Sequence, residues 1–265
     1  MKKVRGFSWI GIVVAVAIIA LIAVVTFFVI DANNKATDFS KYDFYSVIAA
    51  DSHNGNIGDH VKRDKDGSYT GEPLYVFEYA DFQCPGCASI NPKINQLVDE
   101  MDGKLAVVYR SHLLNYHQNA TAAASAAEAA GLQDVDGSKN YWKKYADKLF
   151  SEQSEWQYLN GSERTTAFEK YFTDITDGKG DLEKFRADIA SDAVSKKISF
   201  DMGIGKRIGI EATPAFYVEG QFIPWGKSDG GSVVIDGKII SWDAALSSSE
   251  FMHILSKMVE AKLGA

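Results

Sequence analysis

Apolar and polar positions follow several spacings along this chain, and each spacing predicts a different element. Residues 10–30 carry no charge and only one polar side chain, Thr26. As a helix they extend about 31 Å, close to the thickness of a bilayer's hydrocarbon layer. A buried core helix shows polar positions on one face, and none is present, so the segment is read as a membrane span. A cleaved signal peptide has a shorter apolar stretch that ends in small residues. Here Asp31-Ala32-Asn33-Asn34-Lys35-Ala36 follows, and the span is expected to be retained.

Residues 31–70 are polar, apart from an aromatic island of Phe39, Tyr42, Phe44, Tyr45, Val47 and Ile48. The island fits a short helix packing on the domain or a membrane-surface contact equally well. Turn-forming stretches at 54–58 and 64–71 flank an edge strand at 60–62. Two short runs at 74–79 and 105–109, rich in Val, Tyr and Phe, predict buried strands. Between them Ile90, Ile94, Leu97 and Met101 are spaced by four, three and four, the face of a helix over 84–101. The unit is strand, helix, strand, and Pro92 is expected to kink the helix.

From His112 to about Phe200 the pattern is helical, at 120–130 closed by Gly131, 141–150, 162–172 with Ser162 as cap, and 181–189. Such a block between strand patterns predicts an all-helical insertion. Gly203, Gly205 and Gly209 follow helix and lack nucleotide-loop spacing, so they predict a turn. Strands are predicted again at 215–218 and 221–223. A hairpin at 233–235 and 238–240 is joined by Asp236-Gly237, and an amphipathic helix over 247–263 closes the chain.

With 265 residues and 46% hydrophobic content the chain can bury one large core or two small ones, which excludes a disordered chain or a collagen-like fibre. The net charge is -7. Lys2, Lys3 and Arg5 hold three of the 28 basic residues and no acid falls within residues 1–30, so residues 31–265 carry -10. A body that acidic repels phosphate backbones, and no nucleic-acid partner is expected. The basic residues precede the span and Asp31 follows it, which puts the N-terminus in the cytoplasm and the working domain outside, where disulfides persist. Asn119-Ala120-Thr121 and Asn160-Gly161-Ser162 match a glycosylation pattern that is frequent by chance.

Only two cysteines exist, Cys84 and Cys87, three residues apart at the predicted helix start. A helix N-terminus stabilises a thiolate through its unpaired amides and dipole, so Cys84 is the expected attacking sulfur and Cys87 the shielded resolving one. Pro85 loses nothing in the first helical turn by lacking an amide hydrogen. A structural bridge is the poorer reading, because so short a loop gains little from closure. A zinc site needs two further ligands, and His53, His60, His112, His117 and His253 show no paired spacing.

The segment Glu78-Tyr79-Ala80-Asp81-Phe82-Gln83-Cys84-Pro85-Gly86-Cys87 resembles the strand-to-active-site segment of the DsbA-like thiol:disulfide oxidoreductases of the thioredoxin superfamily. Ile210-Glu211-Ala212-Thr213-Pro214-Ala215-Phe216-Tyr217-Val218 resembles that family's cis-proline loop and following strand. The resemblance covers roughly residues 70 to 265. It implies an α/β thioredoxin fold with an inserted all-helical domain, here preceded by one N-terminal transmembrane helix. The implied divisions are a cytoplasmic N-terminus at 1–9, the anchor at 10–30, linker and edge elements at 31–70, the first part of the fold at 71–111, the helical insertion at 112–205 and the second part at 206–265.

By the same resemblance Cys84 and Cys87 are the catalytic pair, and Thr213 and Pro214 hold an extended substrate peptide. Glu78 matches a buried acid that serves proton transfer at the resolving cysteine, although its apolar neighbours leave a solvent-facing position open. Arg110 falls where a basic residue can pair with that acid, and His112 lies beside it in sequence; an exposed polar role is open for both. Gly86 is a departure, since strongly oxidising members carry histidine there, and the hairpin over 233–240 is longer than the family's usual ending. No cofactor or metal is implied. The expected function is disulfide donation to newly exported, cysteine-containing proteins by a monomer, with a separate redox partner recycling the pair. A reductase or isomerase of disulfides is the alternative, and a non-catalytic binding or metal-handling module the further one.

Overall fold

The computed structural model describes residues 59–64, 66–135, 137–139, 141–226 and 230–264. The expected span at 10–30, the aromatic island and the turns at 54–58 lie outside the described residues. Among the described residues no helix is long and apolar enough to cross a membrane.

In chain order, strand β1 (His60–Arg63) is followed by β2 (Leu74–Ala80), helix α1 (Pro85–Glu100) and β3 (Leu105–Ser111). A block of helices comes next, α2 (Ala120–Gly131), α3 (Trp142–Ser151), α4 (Gln153–Trp156), α5 (Gly161–Ile175), α6 (Leu182–Ile189) and α7 (Asp192–Arg207), with two-residue strands β4 (Asp134–Val135) and β5 (Ser138–Lys139) between its first two members. The chain ends with β6 (Ala215–Val218), β7 (Gln221–Ile223), β8 (Gly231–Ile235), β9 (Lys238–Trp242) and α8 (Ser248–Leu263).

The two apolar runs form the middle of the sheet. β2 and β3 pair in parallel, joined through α1, and β3 is buried along its whole length. Parallel strands covered on both faces read as unbroken apolar runs, as these do. β1 and β6 add antiparallel on either side and β7 pairs with β6, so the five-stranded order is β1-β3-β2-β6-β7. On one face Leu74 and Val76 share a core with Ile90, Ile94 and Leu97 of α1 and with Phe251, Leu255 and Met258 of α8. The β8–β9 hairpin turns at Asp236 and Gly237, both at positive φ of 49° and 77°, and buries Val233 and Ile235 in that same core.

The helical block has its own core. Buried alanines of α2 leave room for Trp142, Tyr145, Trp156, Phe172 and Phe185, and Phe172 stacks on Phe185 at 4.2 Å between ring centroids. α7 packs against β3.

Several expectations are corrected. Ser162 does not cap α5; the helix begins at Gly161 with Asn160 in the cap position. Gly203 and Gly205 lie inside α7, and only Gly209 is in the turn beyond it. Gly205 is small for a packing reason, since an added Cβ would fall 2.3 Å from His112 Nδ1. The strands β4 and β5 were not expected, because two residues are too few to show a period.

Candidate active site

β2 runs directly into the turn that carries the cysteines. The Cys84 amide donates to Asp81 O at 3.0 Å, and Cys84 itself occupies the N-cap of α1 with φ −77° and ψ 121°. Pro85 follows in the first turn, where no amide hydrogen is missed. Both cysteines are free thiols. Cys84 is 7% exposed and Cys87 is fully buried, so the residue expected to attack is itself nearly buried rather than standing clear.

Across from this turn, the Thr213-Pro214 bond is cis and Cys84 Sγ lies 3.3 Å from Thr213 O, which accepts from it in the protonated state. The two signatures therefore meet in space although 129 residues separate Cys84 from Thr213.

The two sulfurs are in opposite electrostatic situations. The Cys87 thiol, aimed at the Cys84 sulfur, is the largest influence in drawing the Cys84 pKa down to about 5; the Thr213 side chain and the amides of Cys87 and Gly86 add to it, against the cost of burial. For Cys87, burial comes first and pushes the thiol well above its ordinary value, and the neighbouring Cys84 and Glu78 add to the effect. Cys84 is the thiolate of the pair and Cys87 the thiol.

Glu78 is fully buried, on the same face of the sheet as Tyr109, with which it is in register. That disposes of the solvent-facing position. Its cation is Lys62 of β1, whose Nζ donates to Glu78 Oε2 at 3.4 Å and to Asn91 Oδ1 of α1 at 2.7 Å. Asn91 in turn donates to Asp147 Oδ1 at 3.0 Å. Arg110 is not the partner of Glu78. It is in register with Tyr79, one residue further along β2 and hence on the opposite face, where its guanidinium donates to Asp59 at 2.8 Å and to the Tyr79 hydroxyl at 3.1 Å. His112 is buried rather than exposed, packs against Gly205 of α7, and has its pKa lowered by that burial.

The helical block holds the loop before Cys84 in place. Gln153 of α4 donates through Nε2 to both Phe82 O and Cys84 O, at 2.8 and 3.0 Å. Gln83 accepts from the Asn119 amide at 2.7 Å and donates to Gln157 O at 2.8 Å. Buried Asp81 accepts from the amides of Gln83 and Leu114 and is 2.8 Å from His117 Nδ1. Sequence reasoning found none of Lys62, Asn91, Gln83 or Gln153. Among the described residues no group of three or more His, Cys, Asp or Glu side chains is placed to hold a metal ion.

A cysteine pair at a helix N-terminus beside a cis-proline loop, on a sheet that carries a helical insertion, is the arrangement of a thioredoxin-type scaffold. The chain belongs to the family described as Thioredoxin, which matches residues 72–257. It is 28% identical over 166 residues to the Na(+)/H(+) antiporter NhaA 1 of Salinispora arenicola, a match that takes in 62% of this chain but 22% of the antiporter, so the chain spans about a fifth of that relative's length. It is 21% identical over 227 residues to the "Probable disulfide bond formation protein D" of Bacillus anthracis, covering 83% of this chain and 91% of that one. The fold is similar to that of alpha-DsbA1 from Wolbachia pipientis, with a TM-score of 0.51 and 20% identity over 77% of this chain and 92% of the other.

Proposed function

We propose that this chain is a thiol:disulfide oxidoreductase that donates disulfides to newly exported proteins, working outside the cytoplasm on an anchor at residues 10–30. The observation that carries the reading is the contrast between the two sulfurs, with Cys84 a thiolate above about pH 5 and 3.3 Å from a loop carbonyl, and Cys87 kept protonated. A couple whose reduced form is stabilised in this way is a stronger oxidant, which favours donation over reduction even with Gly86 between the cysteines. Similarity to a disulfide bond formation protein along most of both chains supports the same reading.

In the oxidised protein a substrate thiolate attacks Cys84 Sγ. The Cys84–Cys87 bond breaks, a mixed disulfide forms through Cys84, and Cys87 leaves as a thiolate that its buried setting drives to take up the proton given up by the substrate thiol, a transfer that the neighbouring Glu78 carboxylate relays. A second substrate thiolate then attacks the substrate sulfur of the mixed disulfide and expels Cys84, a good leaving group because its pKa is low. Two electrons pass from substrate to protein, and a separate oxidant must take them up. In this reading Thr213 O accepts a main-chain amide of the bound segment and Pro214 bounds the same site, which the 3.3 Å between Thr213 O and Cys84 Sγ supports.

The test is the full-length Cys87→Ser variant in its native compartment. Exported cysteine-containing proteins should accumulate as reducible adducts on Cys84. Recovery of Cys84 free of any adduct, while the parent protein still cycles between thiol and disulfide, would overturn the proposed substrate class.

A further inference from the structure

Gly86 lies in the first turn of α1 with an ordinary negative φ, so its backbone does not require glycine. The space around it is tight. A Cβ added there would sit 3.1 Å from Pro214 Cδ, 3.1 Å from Trp225 Cζ3 and 3.5 Å from Trp225 Cη2. The proline ring and the benzo edge of the indole thus close together over the turn between the two cysteines.

Trp225 reaches this place from the segment after β7, which is tied down where the Gly226 amide donates to Leu246 O at 3.1 Å, just ahead of the capped start of α8. Its Nε1 is buried without a hydrogen-bond partner among the described residues, so the side chain contributes shape and apolar surface to the site. The same indole lines a groove of about 640 Å³ together with Pro214, Tyr217 and Phe222. Glu211 is the one charged group among the described residues that line it, and Phe222 is an exposed aromatic on its wall.

We propose that Trp225 is a specificity-determining residue. Wedged against Gly86 and Pro214, it stands where a side chain at position 86 would otherwise project, and it forms the apolar wall against which a substrate segment lies while its cysteine meets Cys84. The segment it selects is an extended peptide with a bulky apolar side chain close to the reactive cysteine. This inference rests on the oxidoreductase reading and names the substrate feature that the site recognises. Partial burial of one leucine-sized side chain against such a wall corresponds to about tenfold in rate.

The experiment is a competition on full-length Cys87→Ser protein. Two peptides, identical except for Leu or Ser beside their single cysteine, are supplied as mixed disulfides with 5-thio-2-nitrobenzoate. Cys84 thiolate attacks the peptide sulfur, the peptide–thionitrobenzoate bond breaks, thionitrobenzoate leaves as its thiolate, and the adducts are counted by mass. The Leu peptide should be favoured by about tenfold. Adding Trp225→Ala should bring the ratio close to one, and Trp225→Phe should keep most of it. Because both peptides compete in one sample, the ratio is insensitive to the fraction of protein that is folded. A ratio near one with Trp225 in place, or an unchanged ratio in Trp225→Ala, would overturn the inference. Absence of any Cys84 adduct with either peptide would instead overturn the oxidoreductase reading beneath it.

Discussion

Replacing Cys87 with alanine should raise the Cys84 pKa, because the Cys87 thiol is the largest of the influences that hold it at about 5. A hydrogen bond to a charged acceptor contributes about 1.5–3 kcal/mol, and one pKa unit corresponds to about 1.4 kcal/mol, so losing the bond should move the midpoint upward by about 1–2 units. Cys87→Ser keeps a hydroxyl donor at the same place and should stay closer to the parent. The assay is the pH dependence of alkylation by iodoacetamide in the reduced protein, checked by thiolate absorbance. In the parent, Cys84 sits two pH units below neutrality and is therefore about 99% ionised at pH 7. The pH dependence has a definite sign in stability as well. Cys84 has its folded pKa depressed, so its contribution to the reduced protein is complete above the unfolded thiol's pKa and is lost as the pH falls through about 5. The reduced parent should gain stability relative to Cys84→Ser between pH 5 and pH 8. An alanine variant whose midpoint stays at 5, or a parent whose midpoint is that of an ordinary thiol, would refute the assignment of Cys87 as the stabilising donor.

Two further outcomes are expected from the frame around the site. Lys62→Met should leave Glu78 as an uncompensated buried charge and cost about 3–5 kcal/mol in urea unfolding, most of it recovered in Lys62→Met with Glu78→Leu; a cost below 1 kcal/mol would show that the pair is not the contact it is taken to be. Gln153→Leu should cost about 1–3 kcal/mol, because Phe82 O loses its side-chain donor while Cys84 O keeps the Ala88 amide, and unchanged unfolding would mean that α4 does not brace the loop.

Much of the scaffold could be read from spacing. β2, β3 and α1 announced themselves through apolar runs and a four-three-four repeat, and Asp236-Gly237 marked the hairpin, because in each case the local period matches the buried face. The dithiol and the Thr213-Pro214 loop were legible as short patterns, and their meeting needed the resemblance. What lay hidden obeys no period. In β1 it is His60 and Lys62 that point inward while Val61 is 38% exposed, the reverse of the usual alternation, so the edge strand read at 60–62 did not reveal that Lys62 faces the core. Glu78 is flanked by apolar residues on both sides, and only its register with Tyr109 settles its face and separates it from Arg110. Gln83, Asn119 and Gln153 act through single amide hydrogen bonds to backbone, which leave no trace in hydropathy. Gly205 looked like a helix breaker because nothing local reveals that His112 needs the space.

The central claim is that Cys84 and Cys87 form a reversible couple poised to donate a disulfide. Equilibrating the purified full-length protein with glutathione redox buffers, and reading the oxidised fraction by alkylation and mass, measures that poise directly. The account predicts a potential well above the value of about −270 mV typical of thioredoxin, in the range of about −180 to −120 mV that marks disulfide donors. A value at or below −270 mV would contradict it in favour of a reductase, and failure of the pair to form a disulfide at any buffer ratio would contradict the redox site itself.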